Sequence, residues 1–450
     1  MITRRPSIDT PRGPSLDIRH RPSLDTPRQR PFDTPRKPSL NPRLTALCCT
    51  LLALLALAGC GKGPPSSEST SAAVQARGVE TIVVHVGDAG TAATATRNTT
   101  RLGGADPIED AASIARTAYP GLTSTTRPQA VVLVDAHDWP AALAASSLAG
   151  APLGAPLLYS EGVHLPAATV HALAAMHPTG ADALGDTQLL LLNHAIAAPS
   201  GYRTREATAT AAAEPDALAV SVAKLLTIAR GSAPREAIVV NPSGPPALAM
   251  PAAGLAAQSS APILFVSRAG VPAATAAELR SLGHPAIYTV GSTAIGTHTL
   301  TALSHYGPVT RVEAAAGEDT TPAGNAVAVS RFSSGSFGWG IREAGHGLVF
   351  ALATRPLDAP AAAILSATGD YAPLLLLESP YSVPSALSSY LSDIQPAAPR
   401  SQPVHGVYNH GWLIGDTHAI SAVVAAELDA MLQIVPTSTP SSESSSLPIE

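Results

Sequence analysis

The feature that most constrains this 450-residue chain is an internal repeat. Ala155-Pro156-Leu157-Leu158-Tyr159-Ser160 returns as Ala261-Pro262-Ile263-Leu264-Phe265-Val266-Ser267 and again as Ala372-Pro373-Leu374-Leu375-Leu376-Leu377-Glu378, at steps of 106 and 111 residues. A second landmark travels with it. Leu165-Pro166-Ala167-Ala168-Thr169 becomes Val271-Pro272-Ala273-Ala274-Thr275 and then Val383-Pro384-Ser385-Ala386, at 106 and 112. Such a step lies far beyond the roughly 20–50 residues of a solenoid repeat, so each copy should be a small domain. The spacing divides the chain into copies at 79–200, 201–312 and 313–435, followed by a Ser- and Pro-rich tail at 436–450.

Each copy alternates short apolar runs with Ala- and Leu-rich segments. The first places strands at 131–134, 156–159 and 188–193, with helices at 141–149 and 166–176 between them. The second repeats the order with strands at 237–241, 263–266 and 286–291, and the third with 347–351, 374–377 and 404–408. A further helix opens each copy after a Gly- or Asp-containing turn, at 111–119, 217–229 and 326–332. Strands that read as unbroken Val, Leu and Ile runs and alternate with helices predict a parallel sheet covered on both faces. The expected fold is therefore α/β, three tandem Rossmann-like units with short parallel sheets.

Ahead of the copies, residues 44–58 carry no charge and run into Leu57-Ala58-Gly59-Cys60, small residues before a cysteine, as in a lipoprotein signal ending at 60. Fifteen residues fall short of the roughly 20 that span a bilayer, which favours a cleaved signal over a transmembrane anchor. Cys48 and Cys49 lie inside that signal, so Cys60 is the one thiol left, placed for acylation, and no disulfide can form after cleavage. Residues 61–78 are rich in Gly, Pro and Ser and suit a flexible tether.

Residues 1–43 contain a Pro-rich repeat, with Arg5-Pro6-Ser7-Ile8-Asp9-Thr10-Pro11-Arg12 returning as Arg21-Pro22-Ser23-Leu24-Asp25-Thr26-Pro27-Arg28. Prolines this dense predict disorder. The segment carries ten basic residues against four acidic ones, either as a genuine extension or because translation starts nearer Leu40. Without it the chain keeps 18 basic and 29 acidic residues, a balance that speaks against a nucleic-acid partner.

Order and spacing over roughly 95–435 resemble the second type of bacterial cell-wall-binding repeat, found as three tandem copies on surface proteins of Gram-positive bacteria. The resemblance rests on Arg101-Leu102-Gly103-Gly104, Trp139-Pro140-Ala141-Ala142-Leu143-Ala144-Ala145, Ala155-Pro156-Leu157-Leu158 and Leu165-Pro166 in the first copy. The later copies add Tyr288-Thr289-Val290-Gly291-Ser292-Thr293-Ala294-Ile295 and Trp412-Leu413-Ile414-Gly415-Asp416-Thr417-His418-Ala419-Ile420-Ser421. The family's Asp after its Phe-Pro pair is Ala141 in the first copy, Pro246 in the second and Asp358 in the third. The resemblance implies three units around a pseudo-threefold axis that hold a cell-wall polysaccharide or other envelope polymer without covalent chemistry.

The chain lacks the Walker phosphate loop, the His-Glu-x-x-His zinc signature, the Gly-x-Ser-x-Gly elbow and Cys-x-x-Cys, so no catalytic residues, metal or cofactor are assigned. Asp135, His137, Asp138 and Trp139 fall at the end of the first strand, where open α/β sheets bind ligands, but also read as a turn with a helix cap. Asn193-His194 and Asn409-His410 are expected at the mouths of third strands, facing sugar hydroxyls or serving as turn residues. Trp139, Trp339 and Trp412 are candidate sugar platforms in a chain with 4% aromatic residues. The Gly-rich stretch 335–347 reads as a mobile loop or, with Arg342, an anion site.

The expected function is a membrane-anchored surface lipoprotein whose three copies bind envelope polymer without catalysis. The alternative is a lipid-anchored receptor for a small solute. An enzyme would need a catalytic domain for which the chain has no spare region.

Overall fold

The computed structural model describes residues 82–84, 93–192, 195–207, 214–314, 319–368, 371–399 and 406–437. The disordered segment expected at 1–43, the signal with Cys60, the tether and most of the tail lie outside these residues. Among the described residues, no helix is long and apolar enough to cross a membrane.

The first copy runs through β1 (Ile82–Val84), β2 (Ala93–Ala95), β3 (Thr99–Leu102), α1 (Pro107–Ala118), β4 (Val131–Asp135), α2 (Trp139–Ala145), β5 (Leu157–Ser160), α3 (Ala167–Met176) and β6 (Leu189–Leu191). The second comprises β7 (Thr204–Glu206), α4 (Pro215–Arg230), β8 (Glu236–Val240), α5 (Pro246–Ala249), α6 (Pro251–Ser259), β9 (Ile263–Phe265), α7 (Ala273–Ser281), β10 (Ala286–Val290) and α8 (Thr297–Leu303). The third comprises β11 (Val309–Val312), which precedes the boundary expected at 313 but leads into this copy's opening helix, α9 (Pro322–Arg331), β12 (Ser333–Ser334), β13 (Phe337–Gly338), β14 (Gly347–Leu352), α10 (Asp358–Ala362), β15 (Leu374–Leu377), α11 (Ser385–Asp393), β16 (Ala397–Pro399), β17 (His410–Ile414), α12 (Ala422–Met431) and β18 (Val435–Thr437).

The expected α/β class holds: three short parallel sheets form, buried on both faces. Their orders are β5-β4-β6-β7, β9-β8-β10-β11 and β15-β14-β17-β3, the last extended by the antiparallel strands β2 and β1. Each sheet thus has a fourth strand that the sequence pattern did not reveal. It comes from the segment that opens the next copy, because β7 leads into α4 and β11 into α9. The third sheet takes its fourth strand from the start of the series, β3, which pairs in parallel with β17 from Gly411 opposite Thr99 to Ile414 opposite Leu102.

This closure is held by more than the ladder. Arg101 donates to the carbonyls of Gly415 (2.8 Å), Asp416 (2.7 Å) and Ile420 (2.7 Å). Behind the turn into β3, buried Asp429 of α12 accepts from Asn98 N (2.8 Å) and Thr96 Oγ1 (2.5 Å). The opening helices repeat the pattern of sharing, since α4 packs on α2, α9 on α5 and α6, and α1 on α10.

The copies meet along a seam of small side chains. The turns Ser146–Ala149 and Ala363–Ser366 contact α6 and each other. A Cβ added to Gly150 would sit 2.4 Å from the Ala257 carbonyl oxygen, and one on Gly254 would sit 2.7 Å from Ser366 Oγ. The long Ala runs of the sequence have their physical reason here, because larger side chains would hold these backbones apart.

The repeated motifs have local causes as well. In the Leu-Pro-Ala-Ala-Thr landmark, the buried hydroxyls of Thr169 and Thr275 each donate at 2.6 Å to the carbonyl of the second strand, Tyr159 and Phe265. Buried Leu387 stands at that position in the third copy. The turn before each landmark closes with the same antiparallel bridge, Glu161 to His164, Ser267 to Gly270 and Ser379 to Ser382.

Two expectations are corrected. The third copy's third strand is His410–Ile414 rather than 404–408: register sets Trp412 beside Val349, and Val407 and Tyr408 are exposed. The Gly-rich stretch does not form a loop throughout. It begins with the β12–β13 hairpin, turned at Gly335 (φ 62°), which presses Phe337 flat against Tyr288 of the second copy with ring centroids 3.8 Å apart.

If β3 is an integral strand of the third sheet, a chain shortened to begin at Pro107 leaves β17 an open edge and removes three charge-assisted bonds. A loss of roughly 3 kcal/mol or more is expected. Urea denaturation checks this, and an unchanged midpoint would show the closure to be dispensable.

Candidate functional site

The residues singled out from sequence separate into scaffold and surface. Asp135 closes an Asx turn: its Oδ1 accepts from His137 N (3.0 Å), His137 Nδ1 (2.9 Å) and Gly162 N (3.2 Å). Partial burial alone would push the Asp135 carboxyl up, but these donors hold it below the usual carboxylate range. Asp138 caps α2 by accepting from Ala141 N (3.0 Å). Trp139 is half-buried against the core, with its buried indole N–H unpartnered.

Asn409 is a correction. It and His410 stand at the beginning of β17, the opposite end of the sheet from the mouth where a ligand contact was expected, because the strand starts later than the apolar pattern suggested. The Asn409 side chain is buried and fully engaged, accepting from Gly345 N (2.8 Å) and His346 N (3.1 Å) and donating to Ile394 O (2.9 Å). His410 packs edge-on to half-buried Trp412 at 4.9 Å between ring centroids. Trp339 donates to the Tyr371 carbonyl (2.7 Å), and Arg342 is exposed beyond the hairpin. Asn193 and His194 lie outside the described residues, as does Cys60.

The strongest electrostatic feature is one that the sequence did not announce. Asp110 of α1 and Asp358 of α10, both fully buried, share a single guanidinium, that of Arg355. Arg355 Nε lies 2.8 Å from Asp358 Oδ2, and its terminal nitrogen pairs with Asp110. Gly104 N donates to Asp110 Oδ1 at 2.6 Å. Loss of water, reinforced by the neighbouring Asp358 charge, pushes the Asp110 carboxyl up to about 8 despite Arg355. Burial also raises Asp358. Burial thus favours the protonated form of both acids, and the cluster locks the first copy's opening helix to the third copy. Tyr159 adds a bond across the same boundary, to Leu357 O at 2.6 Å.

A cavity of about 870 Å3 opens at the C-terminal edge of the second sheet, the edge at which open α/β sheets take ligands. Gly291 and Ser292 at the end of β10, Thr297 and His298 on α8, Arg268 and Arg311 give it a polar lining. Asn241 closes the neighbouring crevice between β8 and β10 by donating to Ala294 O (2.8 Å), so the opening lies on the β11 side. Arg311 is exposed and pairs with Glu313 at 3.2 Å. Sequence reasoning missed this site because its residues come from segments scattered between Leu248 and Asn325. The signal that could have found it is Arg311 itself, which precedes an opening helix as Arg101 does.

No protein-family model matches the sequence, and neither does any curated protein. The fold is similar to that of Cwp6 from Clostridium difficile, with a TM-score of 0.58 at 17% identity, over 79% of this chain and 51% of that one. Cwp8 from the same organism aligns with a TM-score of 0.56 at 16% identity, over 75% of this chain and 52% of that one. The chain spans about half the length of each. At these identities the likeness is one of fold.

The Asp110 proton carries a pH signature. The folded chain binds a proton that the unfolded chain releases near the ordinary carboxylate value of 3.8, so stability falls as pH rises from there to about 8. The slope for one proton is about 1.4 kcal/mol per pH unit. Asp110→Asn, which copies the shape of the protonated acid, should flatten the profile and match or exceed the parent above pH 8. Urea midpoints between pH 4 and 9 check this, and parallel profiles for parent and variant would eliminate the raised Asp110 carboxyl.

Proposed function

We propose that this protein is a surface protein of the bacterial envelope, held to the outer face of the membrane by acylated Cys60, whose three copies bind a cell-wall polymer without catalysis. The observation that carries the reading is the three-unit α/β fold shared with the cell wall proteins Cwp6 and Cwp8. The cyclic sharing of strands and opening helices agrees with copies disposed about a pseudo-threefold axis, an arrangement that presents repeated sheet edges to a long ligand.

The electrostatics suit such a ligand only locally. After the segment 1–60 is removed, acidic residues outnumber basic ones by 29 to 18, so a polyanion would be held by particular arginines rather than by a general field. An anchor at Cys60 and a polymer grip in the copies would connect membrane and wall, with 61–78 as the tether between them. The alternative, a receptor for a free small solute, draws support from the cavity between the second sheet and the opening helix of the third copy.

Retention of the acylation-free chain, from Gly61 onward, on purified wall sacculi tests the first reading, with sacculi stripped of accessory polymers as the comparison. Retention on intact sacculi is expected, and its absence would remove wall binding. Palmitate labelling of the full chain should disappear in Cys60→Ala; labelling that persists in the variant would refute the anchor.

A further inference from the structure

Sheet register aligns the copies residue by residue, and at the positions facing its cavity the second copy departs from its counterparts. Arg311 stands opposite Thr289 as Arg101 stands opposite Leu413, so these arginines occupy the same place, which Glu206 takes in the first sheet. Arg101 is spent on three carbonyls. Among the described residues, Arg311 pairs with Glu313 at the surface.

Around Arg101 the third sheet places Arg355, Asp358 and Asp110. Sheet register sets Gly244 at the place of Arg355 and corrects the counterpart of Asp358 to Ala247, one residue beyond the Pro246 expected from sequence, and Asn325 takes the place of Asp110 three residues into its helix. Asn325 is buried and donates to Leu248 O (3.0 Å), closing the floor with neutral groups. The volume that an ion cluster fills at one boundary is therefore open at the other.

Arg268 is the second departure, since the turn after the second strand has Gly162 there in the first copy and Pro380 in the third. That turn is fixed against α8, because Thr299 Oγ1 donates to the carbonyls of Ser267 (3.0 Å) and Arg268 (3.3 Å). A Cβ on Gly296 would lie 2.6 Å from the Arg268 carbonyl oxygen, so only glycine permits this approach.

From these departures we infer that the cavity binds one anionic sugar unit, a hydroxylated ring bearing a carboxylate or a phosphate. The forked donors of Arg268 and Arg311 take the anion, and Thr297 and His298 face the ring hydroxyls. Guanidinium forks match both oxyanions, and hydroxyl-bearing walls give a ring partners that an aromatic platform would not. Glu313 competes for Arg311, so it limits affinity. For a single unit at an open site, a dissociation constant on the order of 1 mM is expected. This assignment deepens the polymer reading above and rests on it for the natural source of the unit.

The test titrates the chain from Gly61 onward with glucuronic acid, glucose 1-phosphate, glucose and inorganic phosphate, followed by calorimetry or ligand-observed NMR. Both anionic sugars should bind and glucose should not. Arg268→Ala and Arg311→Ala should each weaken binding at least fivefold, Glu313→Gln should tighten it severalfold, and exposed Arg235→Ala, at the opposite end of the sheet, should leave it unchanged. Glucose binding as well as its charged derivatives, inorganic phosphate as well as glucose 1-phosphate, or variants that bind as the parent does would each overturn the assignment. Sacculi separate the two readings. If the double variant Arg268→Ala/Arg311→Ala is retained as the parent is, the polymer reading stands without this pocket; if anionic sugars bind while sacculi are not retained, the pocket stands without the polymer.

Discussion

The pairing of β3 with β17 is the constraint on which the rest of the structure depends. A series of three units that each lend a strand and a helix to a neighbour leaves one sheet unfinished and one strand unpaired at its ends. Joining them satisfies the backbone donors and acceptors of both. It also brings together residues over 300 positions apart, Arg101 with Ile420 and Asn98 with Asp429. Bringing such distant segments together has an entropic cost that grows only slowly with loop length. The carbonyls gathered by Arg101 and the paired cluster at Asp110 offset it.

The small side chains at the meeting of the copies follow from the same arrangement. Strand sharing fixes how far apart neighbouring sheets lie, and the helices between them must fit the space that remains. Alanine, glycine and serine at 141–150, 251–260 and 359–366 meet that requirement, and both α2 and α10 run directly into a 3-10 turn that packs on α6. A composition so rich in alanine therefore reflects backbone proximity as much as helix propensity.

Much of this was legible in the sequence, and the limits are instructive. The strands 374–377 and 263–266 were recognisable because burial on both faces demands an unbroken apolar run, and the repeated Thr169 and Thr275 marked a real bond. The fourth strands were not legible: Thr204–Glu206 and Val309–Val312 are half-exposed edges with polar residues, and nothing in a local pattern says that Thr99–Leu102 belongs to a sheet begun 250 residues later. The strand at 410–414 was displaced because Val404 and Val407 looked more apolar than His410 and Gly411, whereas pairing with β14 decided the matter. Asp135 and Asp138 drew attention as acids beside a histidine, yet their bonds are those of a turn and a cap. Asp110, Arg355 and Asp358 stayed unremarked as a group because two of them come from the last third of the chain and one from near its start.

The two boundaries that the third copy makes show how duplication can separate stability from binding. At its boundary with the first copy, two buried acids share the guanidinium of Arg355, and Arg101 gathers three carbonyls beside them. At its boundary with the second, Asn325 and Ala247 stand where those acids stand, and among the described residues Arg311 pairs with Glu313 at the surface. Neutralising the floor removes the desolvation cost of buried carboxylates, which is large unless every charge is paired. It also releases the arginine toward solvent. The hairpin that stacks Phe337 on Tyr288 supplies apolar contact at this second boundary, so the cohesion that the ion cluster gives at one junction comes from aromatic packing at the other. A series of similar units can in this way lock one junction with charge and leave the corresponding junction open.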